Sequence, residues 1–310
     1  MQNVIELKDI RKSYGAKQAL LGVTLSIRKG EIFGIVGPNG AGKTTLIEII
    51  EGLRTADSGS ATVLGKDIKK EASEIKKEIG VLLQSTSIPQ KAKVKEVLSL
   101  FAAFYGKKQE DVAKVSKLFH LDERMNASVK SLSGGWKQRV SLALALIHDP
   151  VIVFLDEPSM GLDPTARLDM WNQIHQMRDE GRTIVVTTHY MEEAEHLCDR
   201  IAVINDGKLI ALDTPKQLVQ AIGNESERMI TFQAVDGIDV AALSSIEGVT
   251  NSMLDKSMIK LHTTNMDRSL TELYRLANAD GWNISGLKLE DASMNDVFNQ
   301  LTKKKEEAVS

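Results

Sequence analysis

A single cysteine, Cys198, leaves the 310-residue chain with no route to an intrachain disulfide, so a reducing cytoplasm is the expected home. No stretch reaches the roughly 18 consecutive apolar residues that span a bilayer. The longest candidate, SLALALIHDP, is cut short by His148, Asp149 and Pro150. The N-terminal MQNVIELKDI lacks the basic, apolar and small-residue order of a signal peptide. A membrane role therefore requires a partner that does the spanning. Charge of one sign is missing too. The 39 basic residues face 42 acidic ones, which disfavours a broad basic face for nucleic acid, and no nucleic-acid partner is expected. Aromatic residues make up only 5% of the chain, with three tryptophans, so any cluster of them calls for a reason. What is present, 42% hydrophobic and 26% charged residues, is the balance of ordinary globular domains, and the length suits two of them.

From Val4 to Ile35, short β-rich runs alternate with turn signals: VIELKDI, LLGVTLSI and EIFGIVG. TTLIEIIEGL follows with helical spacing, and strand candidates return at ATVLG and IGVLLQ. Lys93 to Leu121 reads as helical, with apolar positions at Val94, Val97, Leu98, Phe101 and Phe104, then Val112, Val115, Leu118 and Phe119. Trp136 to His148 continues as a helix. VIVFLDEP and TIVVTTH are unbroken apolar runs, the mark of strands buried on both faces. Between them, Asp163-Pro164 is an N-cap followed by proline at the first helical position, and the helix closes at Gly181. Strands alternating with helices predict an α/β sheet with helices on both faces.

Two segments carry chemistry. GPNGAGKTT, Gly37 to Thr45, fits G-x-x-x-x-G-K-[ST] between a strand and a helix. Glycines let backbone N–H groups approach a phosphate, the helix N-terminus adds a positive dipole end, and Lys43 adds a point charge near the β and γ oxygens. Thr44 can offer its hydroxyl to Mg²⁺. At the end of VIVFLDEP, Asp156 can hold Mg²⁺ directly or through water, and Glu157 can polarise an attacking water as general base. Together they predict a Mg²⁺-dependent nucleotidase.

With these residues in place, Val4 to Ile222 resembles the nucleotide-binding subunits of ATP-binding cassette (ABC) transporters. The resemblance implies a P-loop NTPase cassette over residues 1–222: a RecA-like α/β core, an antiparallel β subdomain and a helical insertion at about 85–149. It implies that Gly37, Pro38, Asn39, Gly40, Ala41, Gly42, Lys43, Thr44 and Thr45 hold ATP phosphates and that Tyr14 stacks on adenine. Gln84 would link Mg²⁺ and the attacking water to the helical insertion, and His189 would contact the γ-phosphate. Ser133, Gly134 and Gly135 would close on ATP held by a second copy or a pseudo-symmetric second ATPase subunit. SMGLD, Ser159 to Asp163, would cross that seam. A second phosphate receptor at a helix N-terminus makes sense only if it serves another subunit's nucleotide. The signature departs from the family at Trp136, where a glutamine commonly follows the paired glycines.

The family's membrane partner inserts a short cytoplasmic helix at a groove, here Gln84 to Gly106, whose FAAFY is rich in aromatics for this chain; core packing of the insertion explains those aromatics equally well. GLDPTARLDMW and DASMNDVFNQLT look most like the exporter branch. The expectation is an ATPase held on the cytoplasmic face of the membrane by a permease. An ATP-driven clamp on nucleic acid or ribosomes is the alternative; such proteins carry two cassettes or a long coiled coil, and neither occurs. A non-hydrolysing ATP sensor fits poorly with Glu157 and His189.

Around Thr214 to Glu227 the pattern resets. Residues 223–310 read strand, helix, strand, strand, helix, strand, helix, the order of a small α+β domain of ferredoxin-like type, with a regulatory or dimerising role and a frayed tail as the expectation.

Overall fold

The computed structural model describes residues 2–82, 88–223, 228–233, 238, 240, 242–255, 257–281, 283–290 and 293–306. They divide into two compact units, Met1–Pro215 and Lys216–Ser310.

In the first unit, β1 (Asn3–Tyr14) and β2 (Lys17–Arg28) form a long hairpin. It joins β4 (Ser58–Val63) and β5 (Lys66–Asp67) in an antiparallel sheet of order β2-β1-β4-β5. The second sheet, of order β10-β9-β3-β8-β7-β6, is parallel through β9, β3 (Ile32–Val36), β8 (Thr183–Thr188), β7 (Ile152–Asp156) and β6 (Ile79–Leu82). All residues of β3, β8 and β9 (Arg200–Asn205) are buried, as are Ile152 to Leu155 of β7, which is why VIVFLDEP and TIVVTTH carry no polar alternation. The edge strand β10 (Lys208–Asp213) runs antiparallel to β9.

This β9–β10 hairpin is absent from the sequence reading, although its signal is there. Asp206-Gly207 separates two β-rich runs, and both residues have positive φ, 45° and 70°, as a type I′ hairpin turn requires. The hairpin shapes the site described below.

The helices α1 (Lys43–Ile50), α2 (Ala72–Glu78), α6 (Pro164–Asp179) and α7 (Met191–Leu197) connect the strands. Asp163 caps α6 by accepting from Ala166 N at 2.9 Å. The predicted 93–121 stretch forms two helices, α3 (Val94–Phe104) and α4 (Gln109–Leu118), broken at Gly106 with φ 65°. Val94, Val97 and Leu98 face the core, whereas Phe104 is 72% exposed despite its place in the apolar repeat. The helix α5 begins two residues earlier than expected (Gly134–Leu146), with Ser133 as N-cap. Among the described residues no helix is long and apolar enough to cross a membrane.

The helix α8 (Pro215–Gly223) begins at the boundary, and from Lys216 on it belongs to the second unit. There β11 (Arg228–Gln233), β12 (Val249–Asp255), β13 (Met258–Thr263) and β14 (Lys288–Glu290) form an antiparallel sheet of order β12-β13-β11-β14. The helix α9 (Met266–Asp280), capped by Asn265, contributes Met266 and Leu273 to a core with Ile230, Phe232, Ile259 and Leu261. The helix α10 (Met294–Glu306) closes the chain. The expected first helix of this unit is a single 3₁₀ turn, Ala242–Ser245.

Candidate functional site

The phosphate loop runs from the end of β3 to the start of α1, and two of its glycines are dictated by neighbours. A Cβ on Gly37 would lie 2.1 Å from Ile204 O, and one on Gly42, whose φ is 106°, would lie 2.5 Å from Ala19 O. Neither position has room for a side chain. The β9–β10 turn braces the loop: Gly207 N donates to Ala41 O at 2.9 Å, and Leu21 N donates to Gly207 O at 2.8 Å. Lys43 is buried, and its Nζ donates to Gly37 O at 2.8 Å and Pro38 O at 3.2 Å. Burial lowers its pKa, while Glu157 and Asp156 act in the opposite sense.

A cavity of about 260 Å³ is lined by Tyr14, Asn39, Gly40, Ala41, Gly42, Lys43, Thr44, Thr45, Asp156 and Glu157, with Lys17 and Ala19. Most of the residues assigned to nucleotide from sequence therefore meet in one place. Tyr14, 41% exposed, has the Arg54 guanidinium 5.1 Å and the Lys12 ammonium 5.7 Å from its ring centroid, within the range of cation–π attraction.

Asp156 ends β7, and its Oδ1 accepts from Thr187 Oγ1 on the neighbouring β8. Glu157 sits at φ 50°, an uncommon conformation for a side-chain-bearing residue. It is held there by its N–H, which donates to Thr187 O at 3.0 Å and lies 3.3 Å from Thr187 Oγ1. His189 does not line the cavity, but its Nδ1 donates to Glu157 Oε2 at 2.7 Å. Thr187, which ties the Asp156 carboxylate and the Glu157 backbone N–H, escapes a reading of the sequence; inside an apolar strand nothing but its hydroxyl marks it.

Mg²⁺ fits the donor set. Among the described residues no three His, Cys, Asp or Glu side chains form a metal cage. Mg²⁺ does not need one, since it binds through one or two protein oxygens, waters and substrate phosphates. Thr44 and Asp156, in the lining of one cavity with the phosphate loop, are such oxygens. Gln84 lies outside the described residues.

Ser133, Gly134 and Gly135 do not join this cavity. They line a separate one of about 310 Å³ together with Trp136, Arg139 and Asp163. Ser133 makes no side-chain cap bond to α5, and it is exposed with Gly134. Trp136 is held by guanidinium groups, Arg139 at 4.9 Å and Arg124 at 5.3 Å from its ring, and Arg139 pairs with Asp169 at 3.0 Å. Gln138 Nε2 donates to Pro158 O at 2.8 Å, tying α5 to the loop that follows Glu157.

Known proteins are similar to this chain in sequence and in fold. The ABC transporter family model matches residues 20–160. The chain is 32% identical over 305 residues to the linearmycin resistance ATP-binding protein LnrL of Bacillus subtilis, covering 96% of this chain and 98% of that one. It is 38% identical over 243 residues to a Nod factor export ATP-binding protein I of Burkholderia orbicola, covering 77% and 78%. Among solved structures, the ADP conformation of MJ1267, an ATP-binding cassette of an ABC transporter, superposes with a TM-score of 0.64 at 26% identity, over 70% of this chain and 93% of that one. The dimeric cassette MJ0796 bound to ADP and phosphate gives 0.62 at 26% identity, over 68% and 98%. With a phosphate loop, paired carboxylates and a separate signature cavity on one chain, and with a relative matching it nearly end to end, the chain belongs to the ABC transporter family as an ATP-binding, ATP-hydrolysing subunit that powers a membrane transporter.

Proposed function

We propose that two copies of the chain close around two ATP molecules and drive an export permease. The observation that carries this reading is the separation of the two cavities: phosphate loop and carboxylates line one, Ser133 to Gly135 line the other. Each is half a site, and a second copy supplies the missing half. Export is favoured because relatives that match 96% and 77% of the chain are named for linearmycin resistance and Nod factor export.

Within the site, the loop amides and Lys43 bind the phosphates, and Tyr14 stacks on adenine. Glu157 takes the proton of the attacking water as its oxygen bonds to the γ-phosphorus and ADP leaves. His189 holds the Glu157 carboxylate and presents its other ring nitrogen to the γ-phosphate. Thr44 and Asp156, with Gln84, would hold Mg²⁺, which neutralises charge on the phosphate oxygens. The groove near Gln84 to Gly106, with Phe104 and Tyr105 72% and 47% exposed, receives the permease and so holds the chain at the cytoplasmic face of the membrane. Residues 223–310, with a sheet and core of their own, serve as a regulatory or dimerising domain.

Glu157→Gln tests the shared site. It keeps the shape of the side chain and removes the base, so with ATP and Mg²⁺ it is expected to accumulate as a dimer in size-exclusion chromatography with light scattering. A monomer under those conditions overturns the reading.

A further inference from the structure

One buried carboxyl near the catalytic pair has no part in the chemistry above. Glu193, in the first turn of α7, is 1% exposed. Its Oε1 accepts from Trp171 Nε1 on α6 at 3.3 Å. Burial raises its pKa and Glu157 adds to the rise, whereas the side chains of Ser159, Thr188 and Trp171 lower it. Three donors thus surround it, from the loop that follows Glu157, from the end of β8 and from α6. Glu193 Oε2 and Ser159 Oγ are buried, and among the described residues neither has a hydrogen-bond partner. A carboxyl taken out of water without full pairing is costly, and an apolar side chain of the same length would fill the space without that penalty. Packing alone therefore does not account for Glu193.

The helix α7 has only seven residues, too few to be stable by itself, so tertiary contacts decide where it starts. Trp171 docks on one of its faces, bonding to Glu193 and stacking on His196 three residues further, with centroids 5.0 Å apart. One turn earlier on α6, Arg167 pairs with Glu192 at 3.7 Å and stands 5.8 Å from the Tyr190 ring centroid. That pair is exposed to water and weak, whereas the Trp171–Glu193 bond is buried. Between β8 and α7 lie only His189 and Tyr190. Thr188 Oγ1 holds one end of this turn by accepting from Tyr190 N at 3.0 Å, and Glu193 anchors the other. The His189 ring, 2.7 Å from Glu157 Oε2 and 4.0 Å from the Tyr190 ring, follows the start of α7.

We propose that Glu193 is a positioning residue for ATP hydrolysis: through its bond with the Trp171 indole it fixes the start of α7, and so holds the His189 ring against Glu157. This role rests on Glu157 and His189 being the hydrolytic pair and adds what aims them.

The test compares full-length Glu193→Met and Glu193→Gln with wild type, with kcat counted per ATP-binding site. Methionine keeps the length of the side chain and offers no oxygen; glutamine keeps a carbonyl oxygen for the indole N–H. Glu193→Met is expected to lower kcat about 10- to 100-fold, as a misplaced catalytic group does, with ATP affinity by equilibrium dialysis within about twofold of wild type. Glu193→Gln is expected to stay within about threefold of the wild-type kcat, because the bond to the indole survives. The Trp171 indole N–H resonance, assigned with Trp171→Phe, is expected to shift and to exchange faster with water in Glu193→Met and not in Glu193→Gln. Trp171→Phe removes the donor instead of the acceptor, so it carries the same expectation for kcat and affinity should Glu193→Met not fold. A wild-type kcat in Glu193→Met, an affinity that falls with kcat, or a Glu193→Gln as slow as Glu193→Met overturns the proposal. Glu157→Gln is measured beside them. An inactive Glu157→Gln with a normal Glu193→Met dismisses Glu193 alone, and a Glu157→Gln that hydrolyses ATP at the wild-type rate dismisses the catalytic pair and Glu193 with it.

Discussion

The buried carboxyl of Glu51 makes stability depend on pH in a direction opposite to most carboxylates. A free glutamate ionises near 4.5, whereas in the folded chain Glu51 is pushed up to about 8. Between those values the folded chain keeps a proton that the unfolded chain has lost. The stabilisation is therefore complete below the unfolded pKa and is lost as pH rises through the folded one. Each pH unit inside the window is worth ~1.4 kcal/mol, so going from about pH 5.5 to 8.5 costs about 3 kcal/mol of stability from this one group. Glu51→Gln removes the ionisation and keeps the size. Urea unfolding midpoints of wild type and Glu51→Gln, measured across that range, are expected to diverge steadily, with the variant gaining on wild type at high pH. Parallel curves would refute the reasoning, because a group with the same pKa in both states contributes no slope.

Gly37→Ala is expected to lose ATP binding, because its methyl would sit 2.1 Å from Ile204 O. The overpacking costs about 1–3 kcal/mol, read as a lower melting temperature together with weakened ATP affinity by equilibrium dialysis. Unchanged affinity would mean that the loop does not need its contact with β9. Tyr14→Ala is expected to weaken ATP binding by about 1–3 kcal/mol, the worth of one base stacked on an aromatic ring, and wild type is expected to accept GTP nearly as well. A Tyr14→Ala affinity equal to wild type in the same dialysis would remove the ring from the nucleotide site.

The parts of the fold that were readable in the sequence are those whose burial is uniform along a segment. The runs behind β7 and β8 have no polar alternation because their residues are buried whichever sheet face they point to, and Asp163-Pro164 marks the start of α6 through local capping chemistry alone. The phosphate loop and the Asp156-Glu157 pair were legible because their spacing is set by one strand and one turn each. Other features depend on pairings far apart in the chain. The Glu157–His189 bond joins residues 32 apart, and Arg124 reaches Trp136 from outside the helix that carries it. Phe104 fits the apolar repeat of α3 yet stands 72% exposed, since periodicity reports which face is apolar and not whether anything covers it. The small strand β14 was expected to be longer; only Lys288–Glu290 finds a partner, in β11.

The bracing of the phosphate loop by the β9–β10 turn has a consequence in time. Among the described residues the strand β3 pairs only with β8 and β9, and Ala41 waits for a hydrogen bond from Gly207, 166 residues further along. At a synthesis rate of about 5–20 residues per second, roughly 10–30 s separate the making of the loop from the making of the turn that shapes it. During translation the nascent chain carries the whole phosphate-binding motif without the conformation that binds, so nucleotide capture becomes a late event and cannot trap a half-made subunit.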